Sequence, residues 1–117
     1  MESEFGFLLT QKAAEDLDGI IDYISNELSN PKAASDFLSM FLKIVGNTCS
    51  FPESGSEFKN EFLSEKDIRK KPIENYIMYY QPNYKDKKII ILRIVYTKRD
   101  LNEIISGIQK SAEDDGI

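Results

Sequence analysis

The chain's 117 residues suffice for one domain, and a composition 41% hydrophobic and 30% charged, with net charge −5, is that of an ordinary globular protein rather than a disordered one. With no His and a single cysteine, Cys49, it has no Ser-His or Cys-His nucleophile pair, no ordinary zinc ligand set and no internal disulfide. No stretch approaches the roughly 18 apolar residues of a membrane span, Met1-Glu2-Ser3-Glu4 is unlike a secretory leader, and a lone thiol suits a reducing cytoplasm, which is the expected location.

Phe5 to Leu9 is short, apolar and aromatic and predicts a strand, after which Thr10 suits a helix N-cap. Ala13, Ala14, Leu17, Ile20, Ile21, Ile24 and Leu28 then recur at three- and four-residue steps, with Glu15, Asp16, Asp18 and Asp22 off the stripe. That pattern predicts an amphipathic helix over 11–28. Asn30-Pro31 ends it and opens a second helix over 31–49, whose apolar positions include Ala34, Phe37, Leu38, Phe41, Ile44 and Val45. The connection is too short for anything but antiparallel neighbours, and a sheet must cover their apolar stripes.

Phe51-Pro52-Glu53-Ser54-Gly55 is turn chemistry, and residues 56–67 lack a period and read as loop. Strands are predicted at Ile68–Lys71, Tyr76–Gln81 and Ile89–Thr97, the last two joined by a hairpin loop from Pro82 to Lys88. The run from Ile89 to Val95 is nearly all apolar, as an interior strand requires. Asp100-Leu101-Asn102-Glu103 resembles a capping box, and Leu101, Ile104, Ile105 and Ile108 mark one face of a last helix. The order is β-α-α-β-β-β-α: an α+β domain over 1–117, its core about 5–108 and its tail 111–117 frayed. A helical hairpin is expected on one face of a small, mostly antiparallel sheet.

Several local motifs match that order to a known family. They are Leu9-Thr10-x-x-Ala13-x-x-Asp16-Leu17, Asn30-Pro31-x-Ala33-Ala34-x-x-Phe37, Phe51-Pro52-Glu53-x-Gly55, Asn75-Tyr76-x-x-x-Tyr80 and Ile91-Leu92-Arg93-Ile94-Val95-Tyr96-x-x-Arg99-Asp100. In order and spacing they resemble the RelE/ParE superfamily, the toxins of bacterial type II toxin–antitoxin pairs, over about residues 5–108. The resemblance implies a cognate antitoxin as partner and no cofactor. RelE-like members cleave messenger RNA on the ribosome, whereas ParE-like members inhibit DNA gyrase. The RelE-like pattern places Arg directly after the aligned Tyr of the third strand and a Tyr beyond the last basic cluster. Here the first position is Ile77, and the segment from Asp100 to Ile117 has neither Tyr nor His. Tyr96-Thr97-Lys98-Arg99-Asp100 instead resembles the ParE-like strand end, so binding of gyrase is the favoured reading. A ribosome-dependent endoribonuclease or a non-toxic family member is the alternative.

Charge is unevenly spread. Residues 1–65 carry four Lys/Arg against twelve Asp/Glu, residues 66–99 ten against three, and residues 100–117 one against five. A basic segment between acidic ones either meets an anionic partner or is neutralised within the fold, and both readings stay open. The candidate target-binding residues are Arg69, Lys70, Lys71, Arg93, Lys98 and Arg99; a nuclease would draw on Lys70, Arg93, Tyr96 and Arg99. Arg69, Lys70 and Lys71 are equally explicable as solvated charges guarding an edge strand. Period-two alternation puts Arg93 on one face with Ile89, Ile91 and Val95, and Ile90, Leu92, Ile94 and Tyr96 on the face toward the helices. Arg93 then either lines a target-facing groove on the open side of the sheet or pairs with a carboxylate such as Glu74.

Overall fold

The computed structural model describes residues 5–59, 66–98 and 101–114. In chain order its elements are β1 (Gly6–Leu9), α1 (Gln11–Asp22), a π-helical turn (Tyr23–Glu27), α2 (Pro31–Ser50), β2 (Ser56–Glu57), β3 (Arg69–Ile73), β4 (Tyr76–Asn83), β5 (Lys88–Tyr96) and α3 (Leu101–Asp114). The strands form one sheet in the order β1-β5-β4-β3-β2, with β1 parallel to β5 and every other pair antiparallel. The α+β class and the expected element order therefore hold, with β2 as a two-residue addition where loop was expected.

The helical hairpin begins where its capping residues dictate. Thr10 Oγ1 accepts from the Ala13 N–H at 3.1 Å, and Asn30 Oδ1 accepts from the Ala33 N–H at 3.0 Å with Pro31 in the first helical turn. The first helix does not keep its pitch to Leu28. It widens into the π turn, ends with Ser29 at φ 51°, and leaves Leu28 more than half exposed rather than on the buried stripe.

Two apolar layers sandwich the sheet. On one face Ala13, Ile20, Ile24, Phe37, Phe41 and Val45 of the hairpin pack on Ile73, Met78, Tyr80, Ile89, Ile91 and Ile94. On the other, Ile104, Ile105 and Ile108 of α3 pack on Ile68, Tyr79, Ile90, Leu92 and Val95. The face expected to be open is thus partly covered by α3. Of the tail expected to fray from residue 111, residues 111–114 continue α3 to Asp114 with Ser111 buried, and residues 115–117 lie outside the described residues.

The alternation expected along β5 breaks at Leu92. Tyr79 is opposite Arg93 while Tyr80 is opposite Ile91, so Leu92 is an inserted residue, a β-bulge. One extra residue reverses the faces beyond it. Ile89 and Ile91 share the hairpin side with Ile94 instead of Val95, and Ile90 and Leu92 share the α3 side with Val95. The Leu92 carbonyl, displaced from the ladder, accepts from the Thr10 hydroxyl at 3.3 Å and the Ser111 hydroxyl at 3.1 Å. These bonds join the start of α1 and the last turns of α3 to the bulge.

Candidate functional site

The bulge decides the fate of Arg93. Its guanidinium lies between α1 and α3, where a Cβ at Gly107 would overlap it. Nε donates to Asp16 Oδ2 at 2.7 Å and Nη2 to Asp16 Oδ1 at 3.0 Å, and the Ile94 N–H donates to the same Oδ2 at 3.0 Å. Arg93 is 4% exposed and Asp16 12%. The partner is Asp16 rather than Glu74, and the paired residue also borders a cavity of about 490 Å³ between the start of α1 and α3, with Lys12, Glu103 and Lys110 on its rim. A fork-to-fork ion pair of this kind orients α1 across β5.

Arg69 is also engaged within the chain. Its Nη1 donates to the Glu53 and Gly55 carbonyls, both at 3.1 Å, and its Nε to Asp67 Oδ1 at 3.1 Å. It holds the turn after α2 against β3, where the Tyr80 hydroxyl accepts from the Gly55 N–H and donates to the Pro52 carbonyl, each at 2.9 Å. Lys70 projects to the α3 side, its ammonium 5.7 Å from the centroid of Phe58, whose ring is edge-on to Tyr79. Lys71, one residue on, points to the other side and is half-buried, and desolvation lowers its pKa. Lys98 is exposed just past β5; Arg99 and Asp100 lie outside the described residues.

Tyr96 ends β5 on the hairpin side, 5.8 Å from the ring of Tyr76, which in turn meets Phe37 at 5.4 Å. Lys70 and Tyr96, both candidates for a nuclease, therefore stand on opposite faces of the sheet. The basic candidates do not converge: Arg69 and Arg93 are held by internal partners, Lys70 and Lys71 are split between faces, and Lys98 lies beyond the strand end.

What the fold does bring together is a groove that the sequence reading did not anticipate. It has a volume of about 620 Å³ and is lined by Asp16, Gly19, Ile20, Tyr23, Tyr76, Ile94, Val95 and Tyr96. Tyr23 and Tyr96 are each about half exposed, at 49% and 45%. The Tyr76 hydroxyl has its pKa raised by burial first, then by Tyr23, Tyr96 and Glu74 nearby, so it remains a neutral phenol at physiological pH. Such a surface offers aromatic faces and hydroxyl donors. Its one carboxylate, Asp16, is engaged by Arg93 and the Ile94 N–H. Among the described residues no group of three or more His, Cys, Asp or Glu could hold a metal ion, and no helix is long and apolar enough to cross a membrane. The only sign of the groove in the sequence was Gly19, a glycine inside a helical pattern that gives no packing reason for one.

Over residues 7–101 the chain matches the family model described as the ParE toxin of the type II toxin–antitoxin system parDE. Among solved structures it is similar to a chain of the chromosomal ParDE toxin–antitoxin system from P. aeruginosa. There the TM-score is 0.63 at 24% sequence identity, covering 81% of this chain and 98% of that one. It is also similar to a chain of the RelBE2 toxin–antitoxin complex from Mycobacterium tuberculosis, with a TM-score of 0.57 at 15% identity over 80% of this chain and 99% of that one. At such identities the two structures speak to a shared fold. No curated protein sequence matches.

Proposed function

The chain belongs to the ParE toxin family of type II toxin–antitoxin systems, and we propose that it is the toxin of such a pair, arresting growth in the cytoplasm by binding DNA gyrase until a cognate antitoxin covers it. The observation that carries a binding mechanism over RNA cleavage is the dispersal of the candidate catalytic groups. Metal-free cleavage of RNA needs a base, a fixed cation and an acid around one phosphate. Here Lys70 and Tyr96 are on opposite faces, the Arg93 guanidinium is held by Asp16, and Ile77 stands where the RelE-like pattern has Arg. Exposed Lys98, with Arg99 after it in the sequence, supplies the target-facing charge.

The test sets two assays side by side with the purified chain: supercoiling by gyrase, and integrity of messenger RNA on translating ribosomes. Loss of supercoiling with intact message is the expected result. Cut message with normal supercoiling would replace this reading with a ribosome-dependent endoribonuclease. If neither assay responds and expression leaves growth unaffected, the chain is a non-toxic member of the family.

A further inference from the structure

The cavity of about 490 Å³ beside the Asp16–Arg93 pair is a crevice between α1 and α3, and one cation from each of three elements lines it: Lys12 of α1, Arg93 of β5 and Lys110 of α3. At one end the Thr10 hydroxyl meets the Ser111 hydroxyl at 3.4 Å. α1 runs away from that junction and α3 runs into it, so Lys12 and Lys110 share the junction end. Glu103, the one carboxylate lining the crevice, stands two turns before Lys110 on the same helix, about 10 Å away at roughly 1.5 Å per residue. The crevice therefore has a cationic end and an acidic end, with Arg93 opposite Gly107 between them.

Asp16 takes Nε and Nη2 of Arg93, which leaves the N–H groups of Nη1 directed toward Gly107 and the cavity. A guanidinium only 4% exposed needs an acceptor for those remaining donors. Gly107 keeps the way to them open: a glycine inside a helix is destabilising relative to alanine, and a Cβ here would fall on Nη1. Charge selects the acceptor. Asp16 offsets Arg93, but among the described residues neither Lys12 nor Lys110 has a carboxylate within ion-pair distance. Two ammonium groups at one end of a crevice repel each other, and an anion between them removes the repulsion. A carboxylate brings one charge and two oxygens to this set. A phosphate group brings up to about two charges and enough oxygens for the guanidinium edge and both ammonium groups together. The volume also falls within the range of small-ligand sites, about 300–1,000 Å³, and exceeds what a phosphate alone fills.

We propose that the α1–α3 crevice binds the phosphate group of a small phosphorylated molecule. Arg93 Nη1, Lys12 Nζ and Lys110 Nζ surround the phosphate, and Ser106 and Glu103 bond hydroxyl groups of the part that carries it. The site lies across the Asp16–Arg93 pair from the tyrosine groove formed by Tyr23, Tyr76 and Tyr96: Asp16 lines that groove and Arg93 lines this cavity. It goes beyond the toxin reading and does not depend on it. A phosphate held there ties α3 to α1 and β5 at the joint where Thr10 and Ser111 already meet the Leu92 carbonyl, so its binding stabilises the folded chain.

The experiment titrates the purified full chain with inorganic phosphate, ribose 5-phosphate and acetate, each balanced with chloride to one ionic strength. The readout is the NMR shift of the Arg93 Nε–H and of the Gly107 amide. Both phosphates should move these signals saturably, and ribose 5-phosphate should bind more tightly. Lys12→Gln combined with Lys110→Gln should raise the apparent Kd roughly tenfold or more. Lys32→Gln combined with Lys43→Gln removes the same charge from α2, away from the crevice, and should leave binding unchanged. Saturable binding of inorganic phosphate without ribose 5-phosphate would keep the phosphate site and assign it to the free ion. The inference is overturned if neither phosphate gives a saturable shift, if acetate moves the same signals as strongly, or if the Lys12 and Lys110 double variant binds as tightly as the wild type. Gyrase and growth assays do not enter the test, so its failure leaves the toxin reading intact.

Discussion

If Arg93 serves the fold rather than a target, the Asp16–Arg93 pair must behave as a single buried unit. Replacing Arg93 with Ala leaves the Asp16 carboxylate, 12% exposed, with the Ile94 N–H as its one donor among these three. Breaking a buried pair from one side costs about 3–5 kcal/mol, because an uncompensated charge remains. Asp16→Ala should cost at least as much, since it strands a guanidinium only 4% exposed and also leaves the Ile94 N–H without its acceptor, worth about 1–3 kcal/mol by itself. Against a typical total of about 5–15 kcal/mol, either change threatens folding at growth temperature. The double replacement Asp16→Leu with Arg93→Met should cost far less than the sum, because both charges leave together and volume is kept. Urea unfolding of the two single variants and the double variant measures the coupling directly. Single-variant losses under about 1 kcal/mol, or losses additive to within about 0.5 kcal/mol, would refute the reasoning. The same variants separate structure from target contact: growth arrest should return in the apolar double variant as stability returns. A stable but harmless double variant would show that Arg93 touches the target.

Three further outcomes are expected. Gly55→Ala places a Cβ 2.6 Å from Tyr80 Oη and 2.9 Å from the Lys70 carbonyl, so a loss of about 1–3 kcal/mol should show as a lower melting temperature; an unchanged melt would mean that the turn shifts freely. The Tyr84 hydroxyl, buried in part and donating to Glu53 at 2.7 Å, has its pKa pushed up to about 12 from 10.0. The folded state holds that proton more tightly than the unfolded chain, so the contribution is complete below about pH 10 and lost as pH rises toward 12. Between those values wild type should therefore lose stability relative to Tyr84→Phe, and parallel pH profiles of the two proteins would count against it. Replacing Lys98 and Arg99 with Ala should abolish growth arrest without changing the melting temperature or antitoxin binding; arrest at wild-type strength would place the target contact elsewhere.

Much of this architecture was legible in the sequence because it is written in local rules. Thr10 and the Asn30-Pro31 pair cap helices wherever they stand before an apolar stripe, and both do so here. The stripe from Ala13 to Ile24 and that from Ala34 to Val45 have one period each, so they needed only a sheet to lie on. The family motifs are local too, and their order carried the resemblance that the family match over residues 7–101 supports. The candidate site was less legible. Lys70, Lys71 and Arg69 are adjacent in sequence, yet strand alternation and the turn at Glu53–Gly55 send them to different surroundings. The residues of the tyrosine groove come from α1, the π turn, β4 and β5, and no spacing along the chain links them.

The sequence by itself determined which segments become helices and strands, where the helices start, and which family the chain resembles, because caps, periods and motifs act over a few residues. Only the tertiary structure decided which way β5 faces beyond Leu92, what receives Arg93, and how far β1 reaches along β5. Those outcomes depend on a single bulge and on contacts across 77 residues between Asp16 and Arg93. A one-residue insertion in a ladder reverses every side chain beyond it, and the free energy that selects it comes from partners distant in the chain, such as the Thr10 and Ser111 hydroxyls at the Leu92 carbonyl.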